Sequence, residues 1–113
     1  MAGKFEVKAT KNGQFMFNLK ASNGEIILTS EMYKTMKGLK NGIASVRENC
    51  KVPARYKVMV AKNKEPYFVL RAGNNQVIGH SEMYSSDKAL ANGMDSVKQN
   101  APGAVVDDQT KKK

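Results

Sequence analysis

The sequence predicts an α+β domain made of two copies of one unit, a three-stranded antiparallel meander followed by a helix. Two observations carry this prediction. Sliding the 113-residue chain by 51 positions lays Lys4–Cys50 over Arg55–Ala101 without a gap, and 19 of the 47 aligned pairs are identical. Within each copy, the apolar residues first alternate and then recur at helical spacing. One such unit would be marginal alone, so the two copies are expected to share a core.

The length and composition suit one globular domain over residues 1–113, with repeats at 4–50 and 55–101. Apolar residues make up 41% of the chain and charged residues 26%, which is ordinary for soluble domains. No segment resembles a signal peptide or approaches the length of a membrane span. The single cysteine excludes an internal disulfide. We therefore expect a cytoplasmic protein that does not enter a membrane.

The strands of each copy are indicated by alternating apolar and polar residues. Asn12-Gly13 predicts a tight hairpin after the first strand, because both residues tolerate positive φ. The second copy has Lys64 in place of that glycine, and is expected to use a longer or different turn there, with Pro66 at a strand start or edge. The second strands carry Phe17 and Leu19 in one copy and Phe68 and Leu70 in the other, and the third strands cover residues 25–29 and 76–80.

The helices are predicted over residues 36–49 and 87–100, where apolar residues recur every three or four positions. Thr35 and Ser86 are suited to cap them by accepting a backbone N–H bond. After the second helix, residues 104–106 are expected to form one short strand. Residues 107–113, an acidic pair followed by a basic end, are expected to be a disordered tail.

Three motifs recur in the two copies: Phe17–Gly24, Ser30–Tyr33 and Asn41–Val46 in the first, and Phe68–Ala72, Ser81–Tyr84 and Asn92–Val97 in the second. Together they resemble the YegP-like family, a bacterial domain of unknown function. The resemblance covers about residues 4–102. It implies two tandem β(3)-α-β units in a single, mostly antiparallel sheet, with two helices on one face and the C-terminal strands exchanged between units. It implies no activity, substrate or site.

The tetrapeptide Ser-Glu-Met-Tyr occurs once in each copy, where the third strand gives way to the helix. Its serine, glutamate and tyrosine have the chemistry to bind a ligand or move a proton. They serve equally well as structural groups, with Ser and Glu bonding to backbone at the chain reversal and Met and Tyr packing over the sheet. The candidate binding residues are Ser30, Glu31, Tyr33, Ser81, Glu82 and Tyr84.

A polar row runs along each predicted helix. Asn41, Ser45 and Asn49 recur every four residues, as do their second-copy counterparts Asn92, Ser96 and Asn100. Beside each row lies a mid-helix glycine, Gly42 or Gly93, which costs roughly 1 kcal/mol relative to alanine. A glycine kept in both copies indicates that something comes close to the helix backbone there. The row itself is suited to a polar ligand or to bonds with nearby loops.

The sheet face turned away from the helices is a second candidate surface. The net charge of +9 is spread along the chain rather than concentrated. A face that mixes Tyr and Met with Lys and Arg has groups for stacking bases and neutralising phosphates. The alternatives are an ordinary half-solvated face or a dimer contact. The binding residues predicted there are Lys20, Tyr67 and Arg71, with Lys8 and Lys57 beside them.

The residues that occur only once argue against catalysis. His80 is the only histidine and Cys50 the only cysteine, and nothing in their spacing brings them together as base and nucleophile. One of each cannot complete a His/Cys zinc site, and there is no phosphate loop or dinucleotide motif. We therefore expect no metal and no cofactor.

Three hypotheses about function follow, in order of preference. The first is a small non-enzymatic binding or interaction module of the cytoplasm, acting as a monomer or homodimer. The second is a salt-sensitive nucleic-acid-binding protein that uses the open sheet face. The third is an enzyme in which Glu31 and Glu82 act as acids or bases.

Overall fold

The computed structural model describes residues 3–110 and confirms the α+β class, with a seven-stranded sheet and two helices in that range. The helices are α1 (Met36–Asn49) and α2 (Asp87–Asn100), the bounds that the periodicity predicts. Their serine and threonine caps are in place, since Thr35 accepts from the N–H of Gly38 and Ser86 from that of Ala89. The strands are β1 (Lys4–Ala9), β2 (Phe15–Lys20), β3 (Ile26–Ser30), β4 (Tyr56–Val60), β5 (Pro66–Arg71), β6 (Val77–His80) and β7 (Val105–Asp108).

The strand order across the sheet is β4-β5-β6-β3-β2-β1-β7. All neighbours are antiparallel except β1 and β7, which run parallel. The two meanders meet in the middle through β3 and β6, where Thr29 lies opposite His80 and Ser30 opposite Gly79. This pairing places a pseudo-twofold axis at the centre of the sheet. At the far end, β7 of the second unit adds to β1 of the first, so one of the two strand exchanges that the resemblance implies is present.

Both helices pack on one face of the sheet and cover a shared core. Four side chains of β2 and β5, Phe17, Leu19, Phe68 and Leu70, are fully buried. Each stabilises the fold by about 1.5–3 kcal/mol through removal of apolar surface from water. Helix α1 contacts β6 and β5 of the other unit as well as β2 of its own. The two units therefore stabilise each other. Neither helix, nor any other in residues 3–110, has the length and hydrophobicity needed to cross a bilayer.

The pseudo-twofold symmetry breaks at the axis itself. Leu28 on β3 is fully buried, and the corresponding residue on β6 is Gly79. A Cβ on Gly79 would lie 2.8 Å from Cγ of Leu28 and 3.1 Å from the carbonyl oxygen of Thr29. The centre of the sheet has room for one large side chain, so one unit supplies leucine and the other glycine.

The tail prediction was wrong for its first residues. Asp107 and Asp108 belong to β7, and the N–H of Gln109 donates to the carbonyl oxygen of Val7 at 2.9 Å. An ion pair of 3.4 Å between Lys4 and Asp107 holds the strand to β1. Residues 111–113 lie outside the described range.

The turn prediction for the second copy was also wrong. Both units use the same tight turn after the first strand, with Gly13 at φ +82° and Lys64 at φ +71°. The closing bonds match, from the N–H of Gly13 to Thr10 at 3.1 Å and from that of Lys64 to Ala61 at 2.9 Å. The hairpin register imposes left-handed geometry on a lysine, against its preference. Pro66 begins β5, as the sequence predicts.

Replacing Lys64 by glycine should therefore stabilise the protein. Left-handed geometry costs a residue with a Cβ roughly 1–2 kcal/mol, so relief of strain should exceed the entropy that glycine adds to the unfolded chain. We expect a gain of about 0.5–1 kcal/mol in the free energy of unfolding, measured by urea denaturation. The control is Lys62→Gly, because Lys62 in the same turn has no positive φ, and this change should give no gain. Equal effects at both positions would contradict this explanation of the turn.

Candidate functional site

Each Ser-Glu-Met-Tyr segment begins with a serine that serves the sheet. Oγ of Ser30, at the end of β3, accepts from the N–H of Phe17 at 2.9 Å and donates to the Glu31 carbonyl oxygen at 2.7 Å. Ser81 repeats these bonds with Phe68 and Glu82 at the same distances. The serines thus satisfy buried backbone groups at the chain reversal, as the structural interpretation predicts.

The tyrosine of each segment packs on the core. Tyr33 stacks on Phe17 with ring centroids 6.3 Å apart and an interplanar angle of 7°. Tyr84 stacks on Phe68 at 6.3 Å and 5°. Burial raises the pKa of the Tyr33 hydroxyl, and the Glu31 carboxylate raises it further. Burial, and then the Glu82 carboxylate, raise the pKa of the Tyr84 hydroxyl in the same way. Both hydroxyls therefore remain protonated at neutral pH and can donate a hydrogen bond.

The mid-helix glycines make room for these tyrosines. A Cβ on Gly42 would lie 2.3 Å from Oη of Tyr33, and one on Gly93 would lie 2.2 Å from Oη of Tyr84. Such distances are far inside van der Waals contact. The close approach expected from the sequence is therefore that of the tyrosine hydroxyl to the helix backbone.

These groups line two clefts that each combine both units. In the first cleft, of about 620 Å³, Tyr33 and α1 face the β5–β6 turn. The second has a volume of about 300 Å³ and places Tyr84 and α2 against the β2–β3 turn. An adjoining space of about 520 Å³ lies beside Glu82. Corresponding residues line the two clefts: Tyr33, Asn41, Gly42, Ser45, Asn74 and Ile78 in the first, and Tyr84, Asn92, Gly93, Ser96, Asn23 and Ile27 in the second.

The turn residues of these clefts were missed as site residues. Asn23 and Asn74 signal turns in the sequence, and each does accept a local backbone N–H, from Glu25 and Gln76 at 3.0 Å. Their place in the clefts depends on the β3–β6 pairing, which carries each turn to the other unit's helix. The repeat alone does not reveal that crossing.

Two details of the tetrapeptide differ from expectation. Met32 and Met83 are exposed rather than packed over the sheet, because the chain leaves the strand there. Glu31 is exposed, and among the described residues its carboxylate makes no hydrogen bond or ion pair, although its carbonyl oxygen accepts from Ser30. It lines the first cleft, where its carboxylate is available to a ligand.

The polar row of each helix divides into two parts. The side-chain amide of Asn49 donates to the carbonyl oxygen of Ser45 at 2.8 Å, and its Oδ1 accepts from Nε of Arg55 at 3.0 Å. The amide of Asn100 makes the matching bond to Ser96. The last asparagine therefore ties the helix end, and only the first two positions of each row line the clefts.

The open sheet face carries fewer free charges than its sequence suggests. Glu6 is buried among long side chains and pairs with Lys8 at 3.3 Å and Lys20 at 3.2 Å. Two candidate phosphate ligands are therefore partly neutralised. Tyr67 and Arg71 are half-buried on β5 of the same face, well along the sheet from this ion-pair cluster.

The Glu6 cluster should make stability depend on pH. Burial alone raises the pKa of Glu6, but hydrogen bonds and charges from Lys20 and Lys8 outweigh it, so the pKa lies below its usual value. A lowered folded-state pKa contributes stability above the unfolded pKa, and this is lost as pH falls through the folded value. Urea midpoints should fall between pH 7 and pH 3, and the fall should be smaller in Glu6→Gln. Exposed Glu48 provides the control, and Glu48→Gln should behave like wild type; the same fall in all three proteins would contradict the assignment.

Cys50 and His80 are not placed as a catalytic pair. Cys50 is buried at the end of α1, its thiol donates to the carbonyl oxygen of Arg47, and burial raises its pKa. His80 is exposed on β6. Within residues 3–110, no three His, Cys, Asp or Glu side chains gather in a way that would hold a metal ion.

Comparison with known proteins places the chain among others of the same length and fold. A family model described as a domain of unknown function, DUF1508, matches twice, at residues 10–56 and 61–108. The UPF0339 protein YegP of Yersinia pestis is 53% identical over 108 residues, 96% of each chain. A UPF0339 protein of Acinetobacter baylyi is 52% identical over 97% of this chain and 99% of its own. The solution NMR structure of a UPF0339 protein from Shewanella oneidensis superposes with a TM-score of 0.93 at 49% identity, covering 99% of this chain and 95% of that one.

Proposed function

The chain belongs to the DUF1508 family of unknown function, and from that premise we propose that it is a small, non-catalytic cytoplasmic binding module with two equivalent binding clefts. One observation carries the proposal. In each unit, the Ser-Glu-Met-Tyr tyrosine packs against a helix glycine and lines a cleft shared with the other unit. Among the described residues, neither hydroxyl has a hydrogen-bond partner. Both are therefore available to a ligand.

The lining of the clefts favours a ligand rich in hydrogen-bond donors. Asn41 and Ser45 offer an amide and a hydroxyl in the first cleft, and Glu31 adds a carboxylate at its rim. The second cleft carries Glu25, with Glu82 in the adjoining space. Ile78 and Ile27 supply an apolar contact in each. This combination fits an amide- or amine-bearing ligand, such as a peptide loop, better than it fits an anion.

The proposal is tested by removing only the hydroxyls. In Tyr33→Phe/Tyr84→Phe, stacking on Phe17 and Phe68 is kept and the two donors are lost. Wild type and variant are immobilised, and each is incubated with cell lysate that has or has not been treated with nuclease. We expect a nuclease-resistant partner whose retention falls several-fold in the variant, since a hydrogen bond contributes about 0.5–1.5 kcal/mol.

The control is Tyr67→Phe, which makes the same chemical change on the open sheet face. It should leave retention unchanged. Equal capture by all three proteins would overturn the cleft proposal. Capture that disappears with nuclease and weakens in Arg71→Ala would favour the nucleic-acid hypothesis instead. A turnover activity lost in Glu31→Gln/Glu82→Gln would favour the enzyme.

A further inference from the structure

The two outer edges of the sheet are not equivalent. At one end, β1 is covered by β7; at the other, the outer edge of β4 has no neighbouring strand in the described chain. In the 51-residue register, the counterpart of β7 is the segment 54–57. That segment comprises the last two residues of a short 3-10 helix, Pro53–Arg55, and the first two residues of β4. The first unit therefore has no strand left to cover the second, and one strand position of the duplicated fold stays vacant.

The uncovered edge is visible in the solvent exposure of the β4 side chains. Val7 on β1 is 1% exposed, whereas its counterpart Val58 on β4 is 51% exposed. The carbonyl oxygen of Val7 accepts from the N–H of Gln109, just after β7. The matching backbone groups of Val58 point outward from the sheet, because antiparallel pairing turns alternate residues away from the partner strand. An unpaired edge of this kind is a template for adding a strand.

A groove runs beside this edge, with a volume of about 350 Å³. Tyr56 and Val58 of β4 form one wall, and Met94 and Lys98 of α2 form the other. At the covered end, Ala104 and β7 occupy the corresponding place, and Arg47 donates to the Ala104 carbonyl oxygen while lying 5.3 Å from the Phe5 ring centre. Lys98 is the counterpart of Arg47. The groove beside β4 therefore has a basic residue of α2, Lys98, at the position where Arg47 of α1 contacts the segment leading into β7.

The basic residues along the β4 edge indicate what kind of segment would bind there. Beside β7, β1 carries one base and one acid, Lys4 and Glu6. Their counterparts are both basic: Lys57 lies on β4, and Arg55, whose Nε donates to Asn49, directly precedes the strand. Lys51 and Lys98 add to the rim, against one acid, Asp95. A second copy, with a net charge of +9, is repelled by this edge. An acidic segment is attracted to it.

We propose that the outer edge of β4 binds an extended, acidic segment of a partner protein, which adds as a strand parallel to β4 in the way that β7 adds to β1. The segment has β-branched residues first and carboxylates after them, as in the chain's own Val-Val-Asp-Asp. Its third residue lies beside Lys57, in the register by which Asp107 lies beside Glu6. This site shares no lining residue with the two clefts, so its test does not depend on the function proposed for them.

The probe is a synthetic peptide with the sequence of residues 103–110, the segment that carries β7, titrated into the ¹⁵N-labelled full-length protein. We expect amide shifts in Tyr56–Val60 and near Met94 and Lys98, with β1 unchanged. Lys57→Glu should weaken binding about tenfold by reversing a charge at the contact. Lys62→Glu is the matched control, since it makes the same charge change in the turn beyond the strand; it should have little effect. A peptide in which both aspartates are replaced by lysine should not bind.

Four results would overturn the proposal. The first is the absence of shifts at low-millimolar peptide. The second is equal weakening by Lys57→Glu and Lys62→Glu, which would indicate unspecific attraction. The third is displacement of β7, seen as shifts in β1. The fourth is a concentration-dependent dimer in sedimentation that Val58→Glu abolishes, because it would assign the β4 edge to a second copy.

Discussion

Replacing Gly79 by alanine should destabilise the protein by about 1–3 kcal/mol, although alanine is the better strand residue. The added Cβ would enter the space of Leu28 at 2.8 Å, in the middle of the sheet where the two units meet. Leu28 is fully buried, and the same Cβ would also lie 3.1 Å from the carbonyl oxygen of Thr29, so a shift of the leucine alone would not remove the crowding. Urea denaturation of wild type and variant measures the loss.

The pseudo-twofold axis provides a sharper form of this experiment. Gly79→Leu alone should destabilise more than Gly79→Ala, because the clash grows with side-chain volume. Exchanging the two residues, in Leu28→Gly/Gly79→Leu, should recover much of the lost stability by restoring one large side chain to the axis. Gly73→Ala is the control, since a Cβ there would meet only the Arg55 side chain at 3.4 Å. If the double variant were as unstable as the sum of its single changes, packing across the axis would not be the cause.

Replacing Gly42 or Gly93 by alanine should have the second large effect. The new methyl group would occupy the position of the tyrosine hydroxyl, 2.3 Å from Oη of Tyr33 or 2.2 Å from Oη of Tyr84. The ring must then leave its stack on Phe17 or Phe68. We expect a cost of about 1–3 kcal/mol from overpacking, partly offset by the gain of roughly 1 kcal/mol in helix propensity. Urea denaturation gives the net change.

Gly38→Ala on the same helix is the matched control. Its Cβ would lie 3.3 Å from Oγ1 of Thr35 and 3.6 Å from Tyr33, and the second unit already has Ala89 at this position. This variant should be neutral or more stable than wild type. In the Tyr33→Ala background, Gly42→Ala should lose its cost, because the obstructing ring is gone. A cost that persists there would show that the glycine serves something other than the tyrosine.

The parts of the fold that depend on local pattern were predictable. Helix bounds and caps follow from apolar periodicity and from Thr35 and Ser86, which act within a few residues of their partners. The geometry at Lys64 was not predictable, because the hairpin register overrides the residue's own preference. Asp107 was assigned to a tail for a similar reason, since its partner Lys4 lies 103 residues away in sequence.

Several residues of the candidate site were predictable from the sequence, but their contacts were not. Duplication identified the tyrosines and the helix glycines, but not that they touch each other or that a turn of the other unit completes each cleft. That assembly follows from the pairing of β3 with β6. Duplication even misleads at Val58, because it predicts the burial seen at Val7, whereas no strand within residues 3–110 covers Val58.

The most direct test of the two-cleft account is an NMR titration of the ¹⁵N-labelled protein with nuclease-treated cell extract. If both clefts bind a ligand, we expect amide shifts around Gly42 and around Gly93 that are lost in Tyr33→Phe/Tyr84→Phe. Shifts centred instead on Tyr67 and Arg71 of the open sheet face, or shifts that survive removal of both hydroxyls, would contradict it.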